Sequence, residues 1–551
     1  MSDPRRPGDP ADDRPAGPLT DALLIDGPDE PDLIDPSGDP VLPEPPPTAT
    51  VITDAPDALV SPHPPEAPAA DEAPPAPEAP PAPDAPPAAE PDPLAVLDVR
   101  PTPREPREYH FPRFERHILA NGLTLLSAHL PGRPLLNAQL VFRGGASVEP
   151  RDRSGVTVLA ARALTEGTEE RDAIELIEAT ERLGADLDAE AGWDSLVAGI
   201  SVPRSRFAPA LELLAEVVLS PSFPDDEVLR LRDERINDLM QARAEPRRRI
   251  ERVFPETIYA PAAAYARPLG GTEATVPGLD REGVQAAYWR LADPGSAVFV
   301  VAGDLQGIAL IDLVEERFGG RMEAQPVERG VSVEAHADGP RVVVVDRPGS
   351  PQSEIRIGHV GVPRSSPDFH ALSVLNTILG GQFGSRLNQL LREDRGYTYG
   401  VHTSFDMRRG AGPFLVRMAV QSEVTVPAIT ETLGELRRIG RGPVEQHELD
   451  EARDYLVGVF PLRFEAAPQV ATAIAGIAVH ELPDNELDRY RPAIAAISAE
   501  DVLAAARAHV RPQDASVVVV GDASQWIEAL RGAGIGDVTV IADPRPTDER
   551  E

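Results

Sequence analysis

From about Phe114 onward the chain alternates between hydrophobic patterns of period two and patterns of helical period. E-R-H-I-L-A-N-G-L-T-L-L reads as strand, Asn121-Gly122 turn and strand, which is the two-residue hairpin signal. Alternation resumes at Ala138, Leu140 and Phe142. Helix-period runs follow from Gly155 and over Ala173 to Leu183, and then strands at Asp186 to Glu190 and Ser195 to Val202. Long helices are predicted at Arg206 to Val218 and Asp226 to Ala242, and the first half closes on the strand S-A-V-F-V-V-A-G-D-L, Ser296 to Leu305.

The same punctuation returns about 218 residues later, where S-V-V-V-V-G-D-A-S at Ser516 to Ser524 echoes V-F-V-V-A-G-D-L. An earlier pair also matches: the strand beginning at Gln139 and the one beginning at Glu354 each lead through an arginine-containing loop into a helix. That spacing is too long for a solenoid and suits two copies of one domain. The fold class expected is α/β (α+β), with two homologous domains, each a mainly antiparallel sheet packed with helices. The expected limits are residues 108–325 and 326–545, with the seam in the polar stretch between Gly320 and Pro340. Two such domains facing one another enclose a cleft, a setting in which ligand sites form.

Composition changes the picture at the N-terminus. Residues 1–100 hold 22 Asp or Glu against 4 Arg, about half the acidic excess of a chain of 551 residues and net charge −37. Residues 1–107 are Pro-, Ala- and acid-rich, as in E-A-P-P-A-P-E-A-P-P, and bury too little apolar surface to offset their ordering entropy; a disordered tail of polyproline II character is expected. Leu23, Leu24 and Ile25 form one apolar island within it, either a docking motif or a stray cluster. Such acidity argues against nucleic acid as a partner. With no cysteine, neither a disulfide framework nor a thiolate metal site is available. The N-terminus lacks an apolar run of signal-peptide length, and no stretch approaches the roughly 18 apolar residues of a membrane span, so a soluble cytoplasmic protein is expected.

The segment Gly155 to Thr168, G-V-T-V-L-A-A-R-A-L-T-E-G-T, has the frame of a helix entered through Gly and left through a G-T turn. It resembles the inverted zincin helix of the insulinase/pitrilysin peptidases (family M16), which carries H-x-x-E-H. A-N-G-L-T-L-L, Y-A-R-P-L-G-G-T-E-A-T-V-P-G-L, V-V-A-G-D and L-G-G-Q-F-G-S-R-L-N-Q-L-L-R-E-D-R-G-Y-T-Y are similar to family landmarks, in family order, over roughly Phe114 to Ala523. The resemblance implies two domains of the LuxS/mitochondrial-processing-peptidase type.

The three chemical positions of the zincin helix fall on Val158, Ala161 and Arg162. A hydrolytic zinc site usually takes three protein ligands offering lone pairs and leaves one position open for water. Valine and alanine offer none, and arginine repels the ion. The family's further glutamate ligand corresponds to Asp238, which alone cannot form a zinc site. No metal and no zinc chemistry are therefore expected on this chain.

Active members of the family take an arginine and a tyrosine, seven apart, from the C-terminal half to hold the substrate backbone and stabilise the oxyanion. L-L-R-E-D-R-G-Y-T-Y supplies that spacing with Arg392 and Tyr399; both groups are fixed donors able to favour developing negative charge. The bland alternative pairs Arg392 with Glu393 or Asp394 and packs Tyr399 in a strand. Gly380, Gly381, Gly384 and Ser385 precede the element and permit a positive-φ turn or a close approach, with Ser385 placed to cap the next helix. No G-K-[ST] follows, which speaks against a phosphate loop.

His447-Glu448 and His480-Glu481 lack a second histidine at zincin spacing, and no G-x-S-x-G elbow stands out. Two readings stay open. In one, the chain is the zinc-lacking subunit of a two-subunit M16 peptidase, supplying Arg392, Tyr399 and half of a peptide chamber to an H-x-x-E-H partner. In the other, it is a scaffold or peptide-binding pseudoenzyme.

Overall fold

Two six-stranded mixed sheets carry the chain in a computed structural model that describes residues 107–542 apart from 321–330 and 332. The strands of the first are β1 Phe114–Ile118, β2 Thr124–His129, β3 Leu135–Arg143, β4 Asp186–Ala191, β5 Ser195–Pro203 and β6 Ala297–Gly303, in the order β1-β2-β6-β3-β5-β4. The second contains β7 Val342–Asp346, β8 Gln352–Val360, β9 Val401–Phe405, β10 Pro413–Gln421, β11 Ser516–Gly521 and β12 Val538–Ala542, in the order β12-β7-β11-β8-β10-β9. Pairing is mainly antiparallel, with β2–β6, β7–β11 and β7–β12 parallel. The repeated sequence signals fall on strands of equal rank, β6 with β11 and β3 with β8.

Both sheets are covered on both faces, which explains the uninterrupted apolar runs of β6, β7 and β11. In β11, Val517 and Val519 join one core while Val518 and Val520 join another, as period-two alternation requires. Each valine so buried contributes roughly 1.5–3 kcal/mol. In the first sheet Leu125, Leu140, Phe299 and Val301 pack under the N-terminal half's own helices, and Leu126, Val141, Val298 and Val300 face the other way.

The covering of those second faces is reciprocal. The helix Pro246–Ile258, from the N-terminal half, lies on β11 and β8, burying Ile250, Val253, Phe254 and Ile258 against Val343, Val345, Val518 and Val520. The helix Ala467–Val479, from the C-terminal half, lies on β3 and β6, and Gln139 Nε2 donates to Thr472 Oγ1 at 3.2 Å across that contact. Each half therefore completes the core of the other. Sequence periodicity shows that a helix face is buried but not which sheet buries it.

The first hairpin is a correction. Leu119 and Leu123 still pair (N···O 2.9 Å), and Gly122 at φ 94° closes the Leu119 carbonyl, so the loop has three residues, not two. Asn121 is diverted from the tight turn: its amide donates to the carbonyls of Phe318 (2.7 Å) and Gly320 (3.0 Å). The expectations for residues 1–106, including Leu23, Leu24 and Ile25, lie outside the described residues, as do much of the seam and the C-terminal limit at 545. Among the described residues no helix is long and apolar enough to cross a membrane.

Candidate functional site

The zincin-like helix forms as its frame predicts, over Val156–Ala163, entered through Gly155 at φ 97°. A Cβ on Gly155 would sit 2.8 Å from the Gly270 carbonyl, so the close approach of the two chains demands glycine. Buried Glu149 caps the helix, accepting the Gly155 N–H (2.8 Å) and the Thr157 N–H (3.2 Å). Burial raises its pKa, and those two bonds partly restrain the rise.

The face that would hold a metal is closed by ion pairs. Ala161 is buried, and Arg162 donates to Glu234 at 2.9 Å on the helix Asp225–Ala244. Asp238, on the same helix, accepts from Arg235 and from Arg248 (2.5 Å), so it is neither a free ligand nor merely solvated. Arg235 also donates to the Gly270 carbonyl at 2.9 Å. Its pKa is lowered, first by burial, and Arg248 and Arg162 repel it further. The void left beside Val158, Arg162 and Arg235 is about 10 Å³, room for no more than one water. Zinc does not fit: the two carboxylates present, Glu234 and Asp238, are each engaged by guanidiniums. Among the described residues no three His, Cys, Asp or Glu are grouped to hold a metal ion.

Arg392 and Tyr399 lie on the other half and do not join this face. Arg392 sits on Gln389–Asp394, which winds at π-helical pitch, a local distortion often found where function is placed. Its guanidinium stacks 3.8 Å over the ring of Phe383, itself 65% exposed, while Glu393 is 3.6 Å away. Tyr399 lies in the loop before β9, outside any strand, and is 92% exposed. Of the glycines before this element, Gly380 and Gly381 are close-approach positions, where a Cβ would meet Thr403 and Asn376 within 2.7 Å; none of Gly380, Gly381 and Gly384 has positive φ. Ser385 stands at the N-cap position, but its hydroxyl takes the Asn388 amide (3.1 Å) and makes no cap bond.

The other histidine candidates are apart from one another. His447 is exposed and paired with Glu445 at 3.4 Å. His480 ends the Ala467–Val479 helix, where burial, with Arg364 and Arg409 adding to it, lowers its pKa to about 3, so it is a neutral ring at ordinary pH.

One large cavity, of about 600 Å³, lies between the halves. Its walls come from the Asp225–Ala244 and Pro246–Ile258 helices on one side and from β9, β10 and the helix Phe369–Asn376 on the other. Nine arginines line it against three acids among the described residues. Each acid has its own donors. Asp194 accepts from Ser147 Oγ (3.2 Å), Tyr265 OH (3.1 Å) and the Arg409 N–H (2.8 Å). Glu251 takes Arg356 and Asp406 takes Arg408. A cleft between the halves was expected from the sequence but its arginine lining was not, because the arginines are spread from Arg235 to Arg417; the run R-A-E-P-R-R-R-I-E-R at Arg243 to Arg252 was the local signal. Neither Arg392 nor Tyr399 lines it.

Comparisons with known proteins follow these features. The family description "Insulinase (Peptidase family M16)" matches residues 124–273, and "Peptidase M16 inactive domain" matches residues 278–456. An uncharacterized zinc protease of Mycobacterium tuberculosis is 25% identical over 77% of this chain and 96% of its own length. A non-peptidase homolog of Helicobacter pylori is 22% identical over 71% of this chain and 89% of its own length. Among solved structures, a peptidase M16 inactive domain from Pseudomonas fluorescens superposes with a TM-score of 0.69 at 24% identity, covering 74% of this chain and 98% of that one.

Proposed function

The chain belongs to the insulinase (M16) peptidase family, and on that premise we propose that it is the zinc-lacking subunit of a two-subunit M16-type peptidase, working in the cytoplasm. Its partner would carry H-x-x-E-H and the zinc. This chain would supply half of a peptide chamber together with Arg392 and Tyr399.

The observation that carries the reading is the exposure of Phe383 and Tyr399 on the C-terminal half, with Arg392 stacked on Phe383. Tyr399 is 92% exposed and Phe383 65%, with the Arg392 guanidinium stacked on the latter. Arginine and exposed aromatic side chains are the residue types on which protein and peptide contacts concentrate. The former metal face has lost its ligands while the fixed donors of the opposite half persist, which fits a site completed by another chain.

The test is co-expression with an H-x-x-E-H-bearing relative encoded beside it, followed by metal analysis and peptide cleavage. The expected outcome is an inactive, zinc-free single chain and an active, zinc-loaded complex. Arg392→Ala or Tyr399→Phe should lower the complex's turnover by about 10- to 1,000-fold, the scale of removing an oxyanion donor. Unchanged turnover in both variants would leave the scaffold reading; zinc-dependent cleavage by the lone chain would overturn both.

A further inference from the structure

The cavity between the halves is rich in arginine, yet every arginine of its wall is engaged by the protein itself. Arg235 and Arg248 pair with Asp238, and Arg252 pairs with Glu256 and Glu273. Arg364 is held by Glu486 (3.2 Å) and by the face of Phe369, 3.4 Å from the ring centroid. Arg408 pairs with Asp406 and stands over the rings of Trp193 and Tyr265. Arg267 donates to the carbonyls of Ala264 and Glu149, and Arg243, Arg249 and Arg417 have partners of their own. The acids of the wall are engaged in the same way, Asp194 by three donors and Glu251 by Arg356. A charged ligand entering here would lose its hydration without meeting a free counter-charge.

The surface between these pairs is apolar, with Trp193, Leu239 and Phe254 contributed by one half and Phe405, Met407 and Leu415 by the other. Small polar side chains of the wall also bond within the protein. The Ser373 hydroxyl donates to the Phe369 carbonyl (2.8 Å), and the Asn376 side-chain oxygen accepts from Thr403 Oγ1 (2.8 Å). His480 differs: it lines the cavity, and its Nδ1 is buried with no hydrogen-bond partner among the described residues. Burial, with Arg364 and Arg409 adding to it, keeps the ring neutral at ordinary pH, so it can exchange a hydrogen bond with an uncharged group. A ligand group would supply the partner this nitrogen lacks. The volume, about 600 Å³, lies in the range of ligand sites, and apolar and aromatic walls with a few polar atoms are the composition of such sites.

We propose that this cavity is a binding site for an uncharged, largely aromatic or aliphatic small molecule that exchanges one hydrogen bond with His480. The site lies beyond the function proposed above and requires neither the partner subunit nor Arg392 and Tyr399, which do not line it. The internal pairing of the ions sets the class of ligand: it disfavours molecules that bind through charge and leaves the apolar surface as the source of affinity.

The experiment is a fluorescence titration of the full-length single chain with two probes of one frame, N-phenylnaphthylamine and anilinonaphthalene sulfonate, which differ by the sulfonate alone. The neutral amine should bind as one molecule per chain and about 10-fold more tightly than the sulfonate, whose charge would be buried without a counter-ion. Ala242→Trp on the Asp225–Ala244 helix and Ser404→Trp on β9 fill the cavity from different walls, and each should weaken binding of the amine by about 10-fold. Benzylnaphthalene, with a methylene in place of the amine N–H, should compete about 5-fold less well, the scale of one neutral hydrogen bond. His480→Phe should remove that difference. Sulfonate binding as tight as that of the amine, unchanged affinity in both tryptophan variants, or a difference between amine and methylene that survives His480→Phe would each overturn the proposal. If one tryptophan variant loses its thermal transition, the variant on the other wall and the probe pair decide. Failure here leaves the Arg392 and Tyr399 turnover test standing, and failure of that test leaves this binding untouched.

Discussion

The two halves share a strand order but have treated their functional faces in opposite ways. In the N-terminal half the positions of a zinc site are sealed: Arg162 holds Glu234, while Arg235 and Arg248 hold Asp238. In the C-terminal half Tyr399 and Phe383 stand open to solvent, with Arg392 stacked on Phe383. At the first face these guanidinium–carboxylate pairs leave a void of only about 10 Å³. The open face has no comparable internal use. The difference teaches that the ion-paired first face and the exposed aromatic side chains of the second are separate observations, and each can be tested without the other.

The strongest perturbation removes what joins the halves. Asp194, in the loop between β4 and β5, binds the Arg409 N–H in the loop between β9 and β10, the hairpin of equal rank in the other sheet. Asp194→Ala would leave the Ser147 hydroxyl, the Tyr265 hydroxyl and the Arg409 N–H without their acceptor. With Arg408 also losing a nearby counter-charge, the expected loss is about 3–5 kcal/mol in urea unfolding. A loss under about 1 kcal/mol would mean that the hairpins do not couple the halves.

Acid should then weaken the C-terminal half. His359 on β8 is buried; Arg511 donates its N–H to Nε2 (3.1 Å), and Nδ1 faces the Val360 carbonyl at 2.9 Å, so the neutral Nδ1–H tautomer satisfies both partners. Burial, reinforced by Arg511, lowers its pKa to about 4. The unfolded chain, with a histidine near pKa 6.5, binds this proton more readily between pH 6.5 and 4, so stability falls as pH drops through that window. The expected loss is about 2–3 kcal/mol by pH 4, read as the difference between the native protein and His359→Gln in urea unfolding.

Asp188 on the edge strand β4 has the opposite sign. Burial, with like charge from Asp186 one step away on the same face, raises its pKa to about 6. The folded chain therefore binds this proton more readily than the unfolded one, and its cost to stability develops as pH rises from about 4 to 6 and stays constant above. Because part of the residue still meets solvent, Asp188→Asn should gain no more than about 1 kcal/mol at pH 7 and nothing at pH 4. A gain that persists at pH 4 would show that packing, not charge, is responsible.

What the sequence made legible follows from which forces are local. β6 and β11 stood out because strands covered on both faces read as unbroken apolar runs. The altered metal face was legible because the Gly155 frame fixed which positions, Val158, Ala161 and Arg162, had to be inspected. The exchanged helices were not, since amphipathic spacing is the same whichever sheet receives it. The arginine lining of the cavity was illegible for a related reason: Arg235, Arg364 and Arg417 are distant in sequence and meet only through the fold.

The smallest effect expected is also the one that decides most about the open face. Tyr399 lies in a loop, 92% exposed, and no hydrogen bond or ring contact holds it among the described residues. Removing its hydroxyl should therefore leave the stability of the single chain unchanged within about 0.5 kcal/mol, the range of surface substitutions away from caps and networks. If Tyr399→Phe destabilises the lone chain by more than about 1 kcal/mol in urea unfolding, the side chain is structural and its exposure says nothing about a partner. If stability is unchanged while turnover of the complex falls, the hydroxyl acts on something outside this chain, and the contrast between a sealed half and an open half becomes a division of labour between two subunits.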